Sequence, residues 1–111
     1  MRVEASAGCC TVIVTVDADA ELVPELEAHA RDGLRRFAEM PGFIAGALHR
    51  SDDGGRLVQY LQWASEADHL ACMRDPRWDE LPSTRRFMEV AASGASTVDV
   101  RVYDVVADSS A

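Results

Sequence analysis

The order of hydrophobic and polar residues divides the chain into strands and helices. Cys9 to Val16 reads CCTVIVTV, a β-branched run that predicts a strand. From Ala20 to Met40 the apolar residues follow a helical period. They fall on one face, which holds Leu22, Leu26, Gly33, Phe37 and Met40. We expect Asp17 or Asp19 to cap this helix, and Pro24 fits its first turn.

The rest of the chain also divides into predicted strands, helices and turns. The sequence MPGF ends the first helix, and SDDGG predicts a hairpin turn between two strands. Ser65 and Asp68 resemble a capping box that opens a helix through about Met73, and RDPRWDELP predicts an irregular segment or a single turn. The remaining predictions are strands over Phe43–Arg50, Arg56–Trp63 and Ser96–Val106 and a helix over Pro82–Ala92.

This β-α-β-β-α-β order is typical of a ferredoxin-like α+β domain, in which both helices cover one face of a four-stranded antiparallel sheet. The strands nevertheless carry apolar residues on both faces. The first strand places Val12, Val14 and Val16 opposite Ile13, and the last places Val98, Val100 and Val102 opposite Tyr103 and Val105. A solvated face alternates to polar residues, so we expect a second subunit to pack sheet to sheet as a homodimer of the dimeric α/β-barrel type.

The bulk composition narrows the class of protein. A chain of 111 residues suits one domain over residues 1–111, and its net charge of -8 argues against nucleic acid and anionic membrane as partners. No apolar run resembles a signal peptide or approaches the ~20 residues of a membrane span. The three cysteines lack the spacing of a zinc site or disulfide framework, so we expect reduced thiols in a cytoplasmic protein.

The strand LVQYLQW, residues 57–63, contains two glutamines among apolar neighbours. Strand alternation places Gln59 on one face with Leu57, Leu61 and Trp63, and Gln62 on the other face with Val58 and Tyr60. A buried amide costs free energy unless it is hydrogen-bonded. Both amides could hydrogen-bond to backbone groups or to water at an interface. Alternatively, one of them could bind a ligand between the sheet and the helices. The spacing alone does not decide between these alternatives.

The first helix adds a second hint of a cavity. His29 and Gly33 fall beside Leu22 and Leu26 on the inward face. A glycine inside a helix costs ~1 kcal/mol relative to alanine, so it marks either close packing against the sheet or space left open. His29 could be a pocket group or an edge histidine with a structural partner.

Residues 40–78, MPGFIAGALHRSDDGGRLVQYLQWASEADHLACMRDPRW, resemble the antibiotic biosynthesis monooxygenase family. The shared features are a Pro-Gly-Phe entry to the second strand, a Gln-Trp-x-Ser end to the third strand and a following Asp-Pro. The resemblance covers about residues 9 to 106. It implies a ferredoxin-like dimer that oxidises anthrone- or naphthacenone-type rings of aromatic polyketides to quinones with dioxygen, without metal, flavin or haem.

The resemblance also implies a pocket between sheet and helices. The family's tryptophan corresponds to Trp63, and its pocket asparagine, four residues earlier, corresponds to Gln59. Where relatives carry a tyrosine six residues after the tryptophan, this chain has His69. We therefore expect Trp63, Gln59 and His69 to be catalytic, whereas Gln62 is assigned to the dimer interface. The expected pocket lining is His29, Gly33, Phe37, Leu61 and Phe87.

The sequence is compatible with more than one proton acceptor and with more than one class of function. His69, or else His29 or His49, could exchange the proton, because histidine titrates near neutral pH. The same fold also serves non-oxidative polyketide cyclases and ligand-binding accessory proteins, which use the same kind of pocket without dioxygen. These are the alternatives to an oxygenase.

Overall fold

The computed structural model describes residues 9–109, whose elements follow the predicted order, with a 3₁₀ turn where an irregular segment or a single turn was predicted. The absence of a targeting segment was predicted for residues 1–8, which lie outside the described residues. The elements are β1 (Cys10–Ala18), α1 (Val23–Phe37), β2 (Phe43–Arg50), β3 (Arg56–Trp63), α2 (Glu66–Met73), a 3₁₀ turn (Pro76–Glu80), α3 (Pro82–Ala92) and β4 (Ser96–Tyr103).

The strands form one antiparallel sheet in the order β2-β3-β1-β4, which confirms the ferredoxin-like fold. In its register Gln59 of β3 stands between Leu48 of β2 and Val14 of β1, and Val14 stands next to Val100 of β4. Residues paired in register point to the same face. These four side chains therefore form a row across the whole sheet.

Helix α1 begins without the predicted aspartate cap. Its N-cap is Leu22, which makes no side-chain capping bond, and Pro24 lies in the first turn as expected. The backbone carbonyl of Asp19 accepts from the Leu22 N–H at 2.8 Å. Asp17 remains in β1, where its carboxylate binds Arg56 at 2.7 Å. The cap prediction is wrong because the first strand extends further than its β-branched run and holds Asp17 in the sheet.

The connection from α1 to β2 explains the Pro-Gly-Phe sequence. Gly42 has a φ of 81°, and a Cβ there would lie 2.3 Å from the carboxylate of Asp68. Its carbonyl accepts from the Ala64 N–H at 2.7 Å. Asp68 belongs to the predicted capping box, which is confirmed by a 3.1 Å bond from its N–H to the Ser65 hydroxyl oxygen. Glycine is thus required where this turn meets the start of α2.

The helices cover the central strands β1 and β3 better than the edge strand β4. Val12 and Val16 of β1 and Leu57 and Leu61 of β3 are buried beneath the helices. β4 forms an edge of the sheet and ends at Tyr103 instead of Val106. Its residues on the same face stay exposed, at 36% for Val98, 55% for Val100 and 52% for Val102.

The second glutamine of LVQYLQW is already buried by the chain itself. Gln62 has no exposed surface, and its Nε2 donates to the hydroxyl oxygen of Thr11 at 3.1 Å. Both residues lie on the face opposite the helices. The burial that we expected from a partner subunit is therefore supplied within one protomer, and assigning Gln62 to an interface on the grounds of that burial was wrong.

Candidate active site

A cavity of about 440 Å³ lies between the sheet and the helices. Its floor is almost wholly apolar and includes the row described above. The floor residues are Val14, Val16, Leu48, Leu57, Gln59, Val98 and Val100. An apolar cavity of this size with few polar groups is typical of a small-molecule site.

The roof comes from α1, the last residue of α2, the 3₁₀ turn and α3. Helix α1 contributes His29, Ala30, Gly33 and Phe37, which share one face at helical spacing. The remaining wall consists of Met73, Trp78, Ser83, Thr84, Phe87 and Met88. Of the residues predicted to line the pocket, His29, Gly33, Phe37 and Phe87 lie on this wall.

Gln59 is the polar group on the floor of the cavity. Its Nε2 lies 3.5 Å from the carbonyl oxygen of Ala30, at the long limit of a hydrogen bond. The other described neighbours in its row, Leu48 and Val14, are apolar. The amide is therefore weakly engaged and faces the space where a ligand would lie.

His29 is a second polar group on the cavity wall, in the roof. Its Nε2 is buried and makes no hydrogen bond within the described residues. The carboxylate of Glu25, one turn earlier, lies 3.5 Å away at an ion-pair distance. Glu25 also accepts from the guanidinium of Arg86 in α3, which holds the pKa of that carboxyl below its usual range. The His29 side chain therefore contacts the Glu25 carboxylate and also lines the cavity.

Trp63 and His69 are close together but lie behind the cavity wall. Their rings are 6.0 Å apart, and both side chains are buried. The indole N–H and both imidazole nitrogens lack hydrogen-bond partners among the described residues. Burial lowers the pKa of His69, so the ring is held neutral. Buried polar groups without partners are rare in folded proteins and are often associated with function.

Phe37 separates this pair from the cavity. Its ring lies edge-on to Trp63 at 5.9 Å and tilted against Trp78 at 5.0 Å, and both Phe37 and Trp78 line the cavity. Leu61, which was predicted to line the pocket, packs instead in the buried cluster around Trp63. The structure therefore brings Gln59 and His29 to the cavity, and places Trp63, His69 and Leu61 one layer away.

Several residues that line the cavity carry no signal in the sequence pattern. Ser83 and Thr84 at the start of α3 add hydroxyl groups to the wall. Trp78 of the 3₁₀ turn anchors its own segment, since its indole N–H donates to the Cys72 carbonyl at 2.8 Å, and its ring lines the cavity. A β-strand or helix period gives no signal for side chains contributed by a 3₁₀ turn.

Within residues 9–109, no three His, Cys, Asp or Glu side chains come together as a metal site. The same part of the chain contains no helix long and apolar enough to cross a membrane.

The fold and the cavity define a class: a ferredoxin-like domain that holds an apolar small-molecule cavity between its sheet and its helices. Residues 10–81 match the model of the antibiotic biosynthesis monooxygenase family, and the chain belongs to that family.

Known proteins that resemble the chain agree with this assignment. It is 43% identical over 61 residues to tetracenomycin-F1 monooxygenase of Streptomyces glaucescens, a match that covers 50% of this chain and 54% of that protein. The chain thus matches about half the length of this curated relative. Among solved structures, a variant of SnoaB, a cofactor-independent oxygenase from Streptomyces nogalater, has a TM-score of 0.71 at 18% identity, covering 92% of this chain and 97% of that one. Rv0793 from Mycobacterium tuberculosis has a TM-score of 0.65 at 19% identity, covering 92% and 99%. At these identities the structural likeness shows the fold.

Proposed function

We propose that the protein is a cofactor-independent monooxygenase that oxidises an anthrone- or naphthacenone-type polyketide to a quinone with dioxygen. The observation that carries the proposal is the apolar cavity of about 440 Å³ with the Gln59 amide on its floor. A flat fused-ring substrate suits such a cavity, because its faces need apolar contacts and its ring oxygen needs one hydrogen-bond donor. Family membership and the resemblance to a tetracenomycin-F1 monooxygenase support the same substrate class.

The proposed reaction draws its electrons from the substrate. A base removes a proton from the ring CH₂ group, and the resulting carbanion passes one electron to dioxygen. The substrate radical and superoxide then combine into a peroxide, which takes up the proton. Loss of water from this peroxide leaves the carbonyl of the quinone. One oxygen atom enters the product and the other leaves as water, so no further reductant is needed.

In this proposal Gln59 donates from its amide N–H to the ring oxygen, where negative charge develops as the proton leaves. His29 is the best-placed proton acceptor, because it lines the cavity and the Glu25 carboxylate, 3.5 Å from its Nε2, would stabilise the imidazolium that forms. His49 is exposed on the other face of the sheet. The predicted roles of Trp63 and His69 remain part of the proposal: they lie behind Phe37 and are proposed to shape the site and to take part once a substrate displaces that ring.

Oxygen consumption tests the proposed reaction. Purified protein, treated with a chelator and free of added flavin, is mixed with dithranol, an anthrone, in an oxygen electrode. We expect oxygen uptake in a ratio of one O₂ to one quinone, with no hydrogen peroxide released. Tight binding of dithranol without oxygen uptake would favour a binding protein, and ring closure of a linear polyketide under nitrogen would favour a cyclase. Either result contradicts the oxygenase.

We also propose that a second copy of the chain covers the exposed edge of β4. Val98 and Val100 line the cavity and are themselves exposed, so one protomer leaves the cavity open along this strand. Val102 extends the same apolar strip beyond the cavity. A homodimer that covers the strip would exclude water from the site, which strengthens the hydrogen bond to the developing anion.

Sedimentation equilibrium at micromolar concentration tests the dimer. We expect a dimer for the wild type and dissociation for Val102→Asp, because a carboxylate in a covered apolar strip is costly. Ala92→Asp, on an exposed position at the end of α3, is the matched control and should remain dimeric. A monomeric wild type, or a dimer that both substitutions leave intact, contradicts the proposed interface.

A further inference from the structure

Gly33 has no structural reason to be glycine. It lies in the middle of α1, where glycine is the poorest helix former apart from proline. The described glycines with positive φ are Gly42, Gly54 and Gly94, so the backbone at Gly33 accepts any L-residue. A Cβ on Gly33 would meet no heavy atom within 4 Å among the described residues. Neither backbone conformation nor close packing therefore explains this residue.

Gly46, in contrast, is a glycine that close packing requires. A Cβ at that position of β2 would lie 2.8 Å from the Leu34 side chain and 3.0 Å from the Leu61 side chain. Gly46 lets α1 and the sheet approach each other, whereas Gly33 faces open space. That open space is the cavity, because Gly33 is one of its lining residues.

The side chains next to Gly33 on α1 border the part of the cavity that Gly33 leaves open. His29 lies four residues before it and Phe37 four residues after it, so both rings border it on the same helical face. Ala30, the other lining residue of this stretch, is also small. The two small residues form a recess between the two rings, and the carbonyl of Ala30 lies 3.5 Å from the Gln59 amide at the bottom of this part of the cavity.

We infer that Gly33 is a specificity-determining residue, whose missing side chain leaves the recess in which the additional ring of a large fused-ring substrate lies. This inference rests on the proposed function and deepens it, because the recess lets the site accept substrates of three or four fused rings. Glycine at this position lowers the stability of α1, and the absence of a side chain makes the cavity wider. A larger residue at the same position would convert the site into one for smaller rings.

Ligands of increasing size test the inference on Gly33→Ala and Gly33→Leu. Binding of 1-naphthol, dithranol and a four-ring naphthacenone is followed by quenching of tryptophan fluorescence, since Trp78 lines the cavity. We expect Gly33→Leu to weaken binding of the four-ring ligand about tenfold or more while naphthol binding stays within about twofold. Gly33→Ala should weaken it less and raise the Tm by about 4 °C at equal protein concentration.

Ala28→Leu is the matched control, because it adds a large side chain to an exposed position of the same helix. It should leave all three affinities unchanged. Gly33→Leu that binds the four-ring ligand like the wild type, or that loses all three ligands equally, overturns the inference.

A dye separates the failure of this inference from the failure of the proposed function. If the wild type binds none of the fused-ring ligands, the proposed substrate class is wrong. The recess is then judged with 1-anilinonaphthalene-8-sulfonate, which reports on apolar cavities whatever the substrate. Lower dye binding by Gly33→Leu than by Ala28→Leu supports a cavity narrowed at Gly33, and equal binding by both contradicts it.

Discussion

The side-chain nitrogen of Gln59 lies 3.5 Å from the carbonyl oxygen of Ala30, so strand β3 and helix α1 are joined across the cavity by a long and weak hydrogen bond. The amide of Gln62, three residues later, makes a shorter bond of 3.1 Å to the Thr11 hydroxyl and is fully buried. One strand thus holds a loosely engaged amide on its cavity face and a firmly engaged one on the other face. This difference separates a ligand contact from a structural contact.

Replacing Gln59 by leucine should impair turnover far more than stability. The substitution removes the proposed donor to the developing anion, and we expect kcat/KM to fall about 100-fold. The free energy of unfolding should change by only about 1 kcal/mol, because the bond to Ala30 is long. Oxygen uptake and urea unfolding measure the two quantities.

Gln62→Leu is the control for Gln59→Leu, since it makes the same change on the same strand away from the cavity. It should lower the free energy of unfolding by about 1–3 kcal/mol, because the Thr11 hydroxyl loses its partner in a buried site. Its kcat/KM per folded protein should match the wild type. The reverse pattern for the two glutamines contradicts the assignment of Gln59.

Trp63→Phe tests whether the buried indole contributes to the reaction. Phenylalanine keeps most of the contacts with Phe37 and Phe43 and removes an N–H that has no partner among the described residues. The loss of stability should therefore stay below the ~3–5 kcal/mol typical of truncating tryptophan to alanine. We expect kcat to fall about tenfold with little change in KM. Phe43→Leu disturbs the same aromatic cluster without lining the cavity, so a similar fall in kcat for that variant points to packing alone.

Acid should destabilise the protein in part through His69. Burial lowers the pKa of this histidine from its usual 6.5, so the unfolded chain binds a proton that the folded chain excludes. The stability from the neutral ring is present above pH 6.5 and is lost as the pH falls from there toward the folded pKa. His69→Leu should flatten the dependence of the unfolding free energy on pH below 6.5, by at most about 1.4 kcal/mol per pH unit. Urea titrations between pH 7 and 5 measure it.

His49 provides the comparison for this experiment, because it is an exposed histidine of β2. His49→Leu should change the slope between pH 7 and 5 less than His69→Leu does. An equal effect of the two substitutions, or a wild-type slope of zero in this range, is incompatible with a buried neutral His69.

Cys72 should be inert in the folded protein. Its side chain is 4% exposed, and burial raises the pKa of its thiol to about 11. At pH 8 about one molecule in a thousand then carries the reactive thiolate. Iodoacetamide should modify Cys72 only after unfolding in urea, which mass spectrometry of the peptide around residue 72 detects. Rapid modification of Cys72 in the native protein contradicts the buried environment.

Local patterns predicted the fold closely. The bounds of β2, β3 and α3 agree with the prediction, because each has a clear period and is ended by a turn or a proline. The start of α1 was wrong because an aspartate near a helix is not necessarily its cap. Asp17 pairs with Arg56 on the adjacent strand, a partner 39 residues away that no local pattern reveals.

The candidate site was predicted less completely. Alternation placed Gln59 on the helix side of β3, and the helical period placed His29 and Gly33 on the inward side of α1. The sequence left two explanations for Gly33, close packing against the sheet or an open cavity. The distance between α1 and the sheet decides between them, and this distance depends on the side chains of both. The position of Phe37 between the cavity and Trp63 likewise follows from the packing of four aromatic rings that are distant in sequence.

The sequence by itself determined the order of the elements, the face on which each side chain lies and the resemblance to a family, because each is a property of local periodicity and motif. Only the tertiary structure decided which residues of the helix-facing surface border the cavity and which lie buried beside it. Gln59 and Trp63 share one face of one strand, yet Gln59 borders the cavity and Trp63 lies behind Phe37. The space between a helix and a sheet varies along their contact, and its depth at each point depends on residues from several elements at once.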